Sequence, residues 1–226
     1  MATGTRSPSV GNRSVYLSAG YTDLFPDASA ASKLAAVPHP TTPTPRQRLI
    51  DAAAGLFYSH GIGAVGVDLV SKAAGVSKRT LYREFGSKDR LIAESLDASG
   101  DAIVALYIRP EDSDAPPRQQ ILAVFGRLSD WTASDTFRGC PFINTATELA
   151  DAGHPARRVA SSYKRRLHGY FARQAGRAKA SDPERLADQL IALFDGAIVQ
   201  TVMGAPLQPA TLQAAAGALL EAQGVR

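Results

Sequence analysis

Apolar residues recur at helical spacing along nearly all of the chain after residue 44, and no stretch alternates as a half-buried strand requires. Leu49, Ile50, Ala53, Leu56 and Phe57 form the first stripe, and Ile92, Leu96, Ile103 and Leu106 form a longer one. Ile121, Leu122, Phe125, Leu128 and Trp131 follow, then Val159, Tyr163, Leu167, Tyr170 and Phe171. Leu186, Leu190, Leu193, Phe194, Ala197 and Ile198 make a further stripe before a last helix from Pro209 to about Ala222. The pattern predicts an all-α protein.

Start and stop signals sharpen these elements. Thr44 precedes Pro45 and stands three residues before Gln47, which predicts a capping box at the start of the first helix. Gly61-Ile62-Gly63 ends that helix, and a short helix is expected from about Val67 to Ala74. Gly75 makes a turn, which requires a small residue where two helices cross. Ser77 caps the next helix, running to about Phe85, and Ser87 caps the long one, which Arg109-Pro110 breaks. Gly66 stands where Ser or Thr would cap the second helix, so that end is expected to be held less firmly, by roughly a few tenths of a kcal/mol. Gly139-Cys140-Pro141 opens a short helix to about Ala150, His154-Pro155 starts the next, and Asp182-Pro183 caps another.

Residues 69–85 thus pair two short helices around a glycine, the layout of a helix-turn-helix. The second helix opens with Ser77, Lys78, Arg79 and Thr80 and then presents Tyr82, while Leu81 and Phe85, four apart, face inward. Burial alone does not call for that polar set. A helix start of this kind offers N–H groups and a hydroxyl to phosphate, and Arg and Thr suit base edges. Residues 46–90 carry eight Lys/Arg against four acids, an excess equal to the +4 of the whole chain.

Residues 44–92 resemble the DNA-binding domain of TetR-type transcriptional regulators. The likeness rests on Arg48-Leu49-Ile50, Ala52-Ala53, Leu56-Phe57 and Gly61, then Ala73-Ala74-Gly75-Val76-Ser77-Lys78, Thr80-Leu81-Tyr82, Phe85 and Ser87-Lys88. Gly139-Cys140-Pro141-Phe142 and Asp195-Gly196-Ala197 are similar to ligand domains of an actinobacterial branch of that family. The resemblance implies an N-terminal three-helix DNA-binding domain over 44–90 and a larger helical ligand-binding and dimerisation domain over 91–226. It implies that Arg46 belongs to the DNA-binding set and that Ser77, Tyr82 and Lys88 meet phosphates of a double-stranded operator, with Lys78, Arg79 and Thr80 as the candidates for base edges. It also implies a homodimer through helices 183–203 and 209–222, with Ala187, Ala197, Ala214, Ala215 and Ala218 allowing close approach. Release from a palindromic operator by a small molecule of unknown identity is the expected mode of action.

The chain departs from the family at two positions. Arg79 stands where glycine is common, which adds reach toward bases. Glu84 stands where an aromatic or His is common, and its carboxylate is expected to pair with Arg83 or Lys88.

Candidate pocket residues in the larger domain are Phe125, Trp131, Phe142, Asn144, Tyr163, Phe171 and Phe194, with Thr145, Glu148 and His168 as further polar anchors. The run 157–179 carries Arg157, Arg158, Lys164, Arg165, Arg166, Arg173, Arg177 and Lys179 without an acid, and reads first as a solvated face, with an anionic ligand site or a second DNA contact as the alternatives. Residues 1–43 are rich in Ser, Thr, Pro, Ala and Gly and read as a disordered arm, with a basic arm touching DNA through Arg6, Arg13 and Lys33 as the alternative. The single cysteine excludes an internal disulfide framework and fits a cytoplasmic protein. No apolar stretch approaches the roughly 20 residues of a membrane span, and no signal peptide is evident. No metal-ligand spacing or cofactor motif is present. Three further functions compete with the regulator reading. Cys140, Asp151 and His154 suggest an enzyme, but nothing fixes the histidine beside the thiol. Cys140 alone suggests a redox-responsive regulator. The larger domain alone suggests a ligand-binding module without DNA binding.

Overall fold

The computed structural model describes residues 43–109 and 114–226. The expected N-terminal arm lies outside the described residues except for Pro43. Among the described residues the fold is all-α, as the periodicity predicts.

Helix α1 (Pro45–His60) begins with Thr44 accepting from the Gln47 N–H at 3.1 Å. The expected box closes on one side only, because the Gln47 amide turns forward to Asp51 at 2.9 Å. Helix α2 (Val67–Ala74) starts at Gly66 with no side-chain cap. It ends in a Schellman turn, the Gly75 N–H reaching Lys72 O at 3.2 Å and the Val76 N–H reaching Ser71 O at 3.0 Å. Glycine at 75 is not there for close packing: a Cβ on it would touch nothing within 4 Å, but its φ is +61°. The backbone's left-handed turn is what selects it.

Helix α3 (Lys78–Phe85) is capped by Ser77, whose Oγ accepts from the Thr80 N–H at 3.1 Å. Helix α4 (Lys88–Ala105) is capped in the same way by Ser87. The remaining helices are α5 (Pro117–Thr132), α6 (Pro141–Glu148), α7 (Pro155–Arg177), α8 (Pro183–Val202) and α9 (Pro209–Ala222). Asp182 caps α8 by accepting from the Arg185 N–H at 3.1 Å.

Two apolar cores result. Leu49, Ala53, Phe57, Val70, Leu81 and Phe85 close the first around α1–α3, joined by Leu91, Ile92 and Ala93 of α4 and by Ala156 of α7. Leu96 and Ile103 of the same α4 belong to the second, built on Phe125, Leu128, Phe171, Leu190 and Phe194. Helix α4 is therefore shared, and residue 90 is not a seam in the packing. Its crossing with α7 is tight at Gly100, where a Cβ would fall 2.0 Å from the Tyr163 ring. Only a residue without a side chain lets the two helices approach so closely.

Candidate functional site

The inner face of α3 is fixed by Leu81 and Phe85, both fully buried. Each contributes on the order of 1.5–3 kcal/mol of burial, which sets the helix's rotation about its axis. The opposite face is thereby turned to solvent. Lys78, Arg79, Tyr82 and Arg83 are exposed there, with Tyr82 at 48 %. Among the described residues Arg79 makes no hydrogen bond or ion pair, so its guanidinium projects free. Lys78 pairs with Asp68 of α2, both ends being exposed, and such pairs are weak, about 0–1 kcal/mol. The Thr80 hydroxyl lies 3.0 Å from Ser77 Oγ, so these two residues form one polar unit at the helix start. Glu84 is neutralised by Arg83, which donates from Nη2 at 2.9 Å and from Nε at 3.3 Å; Lys88 takes no part.

Arg46 and Lys88 do not join this face. Arg46 lies 4.6 Å over the Phe85 ring, donates to the Glu84 carbonyl at 3.0 Å and ion-pairs with Glu94. It fastens α1 to the end of α3 and to α4. Lys88 donates to the Ile62 carbonyl at 2.8 Å and lies over Phe57. Both cations have internal partners, which spacing along the chain could not reveal. Arg48, which the sequence marks only as part of the motif, closes α2 by donating to Ala74 O at 3.1 Å.

A cavity opens where the first core meets the second, with about 700 Å³ of empty space counted to its open mouth. Phe57 and Tyr58 of α1, Ile62, Leu96 and Ile103 of α4, Trp131 of α5 and Asn144, Thr145 and Glu148 of α6 are among the residues that line it. Of the seven pocket residues expected from sequence, only Trp131 and Asn144 border it. Phe125, Phe142, Phe171 and Phe194 are core, each 1 % exposed or less. Phe125 stacks on Phe171 at 5.9 Å and Phe142 on Tyr163 at 4.8 Å, while the Tyr163 hydroxyl donates to Asp97 O at 3.1 Å. Their helical period announces burial, but nothing in it marks which buried ring borders a void. His168 is not in the lining; it faces Asp188 at 3.0 Å.

The same junction is bridged by polar contacts. Glu148 Oε2 accepts from the N–H groups of Ile62 at 2.6 Å and Gly63 at 3.2 Å. Tyr58, which no sequence pattern marks, donates to Gly139 O at 3.1 Å and accepts from the Arg138 N–H at 2.9 Å. Burial pushes its phenol pKa up.

Cys140 is buried, and burial pushes its thiol pKa up against the opposing pull of Lys164. A thiol held protonated is a poor nucleophile and a poor redox sensor, which counts against both cysteine readings. His154 instead caps α7, its Nδ1 accepting from the Ala156 N–H at 3.1 Å, with Nε2 3.3 Å from Asp89. Among the described residues no group of three or more His, Cys, Asp or Glu is placed to hold a metal, and no helix is long and apolar enough to cross a membrane. The basic run of α7 is largely partnered within the chain. Lys164 pairs with Asp195, Arg166 with Asp101 at 2.7 Å, and Arg157 and Arg158 reach backbone carbonyls.

A short helix with a buried face, a free basic and hydroxylated face and a left-handed turn before it define a helix-turn-helix protein with an appended helical domain. Residues 49–95 match the model of bacterial regulatory proteins of the tetR family, and residues 117–216 match a tetracyclin repressor-like C-terminal domain. A TetR-type transcriptional regulator of Streptomyces avermitilis has a solved structure that is 42 % identical, with a TM-score of 0.75, covering 81 % of this chain and 100 % of that one. A TetR-family regulator of Streptomyces coelicolor is 28 % identical, with a TM-score of 0.71, covering 79 % and 95 %. The HTH-type transcriptional repressor ComR of Escherichia coli is 28 % identical over 172 residues, which is 72 % of this chain and 82 % of ComR. The chain belongs to the TetR family of transcriptional regulators. It is a DNA-binding regulator and not an enzyme.

Proposed function

We propose that the protein is a dimeric repressor that reads a palindromic operator through α3 and releases it when a small molecule occupies the larger domain. The observation that carries this reading is the outer face of α3, where an unpartnered Arg79 stands beside a capped helix start and an exposed Tyr82. Ser77 and the N–H groups of Lys78 and Arg79 offer a phosphate site. Lys78 exchanges its weak contact with Asp68 for a phosphate, and Tyr82 donates its phenol to another. Arg79 reaches guanine, and Thr80 sets its methyl against thymine. Arg46 and Lys88 keep the reading head in shape and leave the phosphates to the others.

One such helix reads only a few base pairs, so two copies about one helical turn apart are required. Helix α8 supports this, because Ala192, Gly196 and Val199 are exposed along one of its faces and Met203, also exposed, caps its end. Ala214 and Ala218 of α9 are exposed as well, whereas Ala187 and Ala197 are spent in the chain's own core. The dimer then forms through the outer faces of α8 and α9. The junction cavity is the seat of the effector. A molecule there touches α1 and α4 at once and biases the spacing of the two reading heads.

Selection of bound DNA from a random library tests the whole. The expected product is an inverted repeat whose affinity falls steeply with salt. Recovery of no common sequence would overturn the proposal.

A further inference from the structure

We infer that the junction cavity is a site for a small lipophilic ammonium, seated with its charge on Glu148 and its apolar body against Trp131 and the α4 side chains. This rests on the ligand-responsive function proposed for the protein and specifies its effector.

The lining has one formal charge, and it is negative. Glu148 is an exposed residue in a lining whose other members are apolar or hydroxylated, apart from the Asn144 amide. Its Oε2 takes both N–H groups of the α1–α2 turn, and among the described residues Oε1 accepts no hydrogen bond. An ammonium set against Oε1 makes a charge-assisted bond there without stripping the turn of its acceptor. Tyr58 and Trp131 border the same space with aromatic rings, a kind of surface that favours a cation, whereas Phe57 already lies under the Lys88 ammonium. Leu96, Ile103 and Leu106 complete a lining that rewards apolar bulk and disfavours a fully polar polyamine. A carboxylate ligand meets repulsion at the one charged position, and a neutral ligand gains the apolar part alone. Because Glu148 already joins α6 to the turn after α1, a cation bound to it acts directly on the joint between the two cores.

The chain has a single tryptophan, Trp131, in this lining, so its fluorescence reports occupancy without a label. Three probes of one shape separate the charge from the rest: 2-phenylethylamine, 2-phenylethanol and phenylacetate, titrated into the full chain and into Glu148→Gln. The amine is expected to bind at least tenfold tighter than the alcohol, phenylacetate weaker still, and the preference to vanish in E148Q. Equal affinities, no response to any probe at millimolar concentration, or a preference that survives in E148Q overturns the site. If E148Q fails to fold, the ranking of the three probes on the unaltered chain still decides. A parallel titration in the presence of selected operator DNA separates the site from the proposed release. Amine selectivity together with DNA release supports both. Amine selectivity with unchanged DNA affinity supports the site and overturns ligand-controlled release. DNA release by other compounds without amine selectivity overturns the site alone.

Discussion

Glu148 and Lys88 hold the two ends of one residue: the carboxylate accepts the Ile62 N–H at 2.6 Å and the ammonium donates to the Ile62 carbonyl at 2.8 Å. Glu148 comes from the second core's side of the molecule and Lys88 from the start of α4, so the turn after α1 is clamped between them. Glu148→Ala removes the carboxylate acceptor of the Ile62 N–H at a part-buried contact, at a cost of about 0.5–1.5 kcal/mol. Hydrogen exchange at Ile62 and Gly63 should accelerate tenfold or more, with α3 amides changing less. Unaltered exchange at both would show that the clamp is not held by this carboxylate.

The outer face of α3 separates specificity from affinity. Arg79→Ala should cost about 1–3 kcal/mol on the selected operator and relax preference at one base position. Lys78→Ala and Tyr82→Phe should instead weaken all sequences alike, and the lysine change should lower the salt slope by about one. Binding curves over a salt series on operator and scrambled DNA make the comparison.

Gly100 is expected to tolerate no side chain. Alanine there would place its Cβ 2.0 Å from the Tyr163 ring, and the ring is stacked on Phe142 with little freedom to withdraw. Overpacking of this kind costs about 1–3 kcal/mol. A lowered urea midpoint for Gly100→Ala, largely recovered in Gly100→Ala/Tyr163→Ala relative to Tyr163→Ala, is the expected result.

Alkaline pH should destabilise the fold through its buried acids. The Cys140 thiol is raised by burial, so the folded chain holds that proton more tightly than the unfolded chain. Its stabilising share is complete below the unfolded value of about 8.5 and is lost as pH climbs from there through the folded value. Tyr107 and Tyr163, also raised by burial, extend the decline upward. Urea unfolding at neutral and alkaline pH should show falling stability, and Cys140→Ala should flatten the first part of the fall.

The dimer face is testable by charge. Val199 and Met203 are 47 % and 75 % exposed in the single chain. Val199→Glu with Met203→Glu should halve the sedimenting mass and reduce operator binding, while each chain keeps its helical content. A dimer that persists would move the interface elsewhere.

The helix starts were legible because they are local. Thr44-Pro45, Ser77, Ser87 and Asp182-Pro183 each place a side-chain oxygen beside a free N–H within a few residues, and all four cap as expected. The turn glycine was legible for the wrong reason, since its dihedral and not crowding requires it. The destinations of Arg46 and Lys88 were not legible. Their partners Glu84, Glu94 and Ile62 come from other elements, and only the folded chain brings them together. The cavity escaped for a similar reason. A stripe of aromatic residues reports that a face is buried, but a void is a property of how several faces fail to fill the space between them.

Helix α4 begins in one core and ends in the other, and Ala156 at the head of α7 packs with the first. Chimeras that transplant a reading head from one regulator onto another therefore have an unsuitable cut point at residue 90. The graft inherits its new host's Leu91, Ile92 and Ala93 as foreign filling. A viable exchange would carry the first turns of α4 and the opening of α7 along with the head, so specificity can be traded between relatives only in a piece that is discontinuous in sequence.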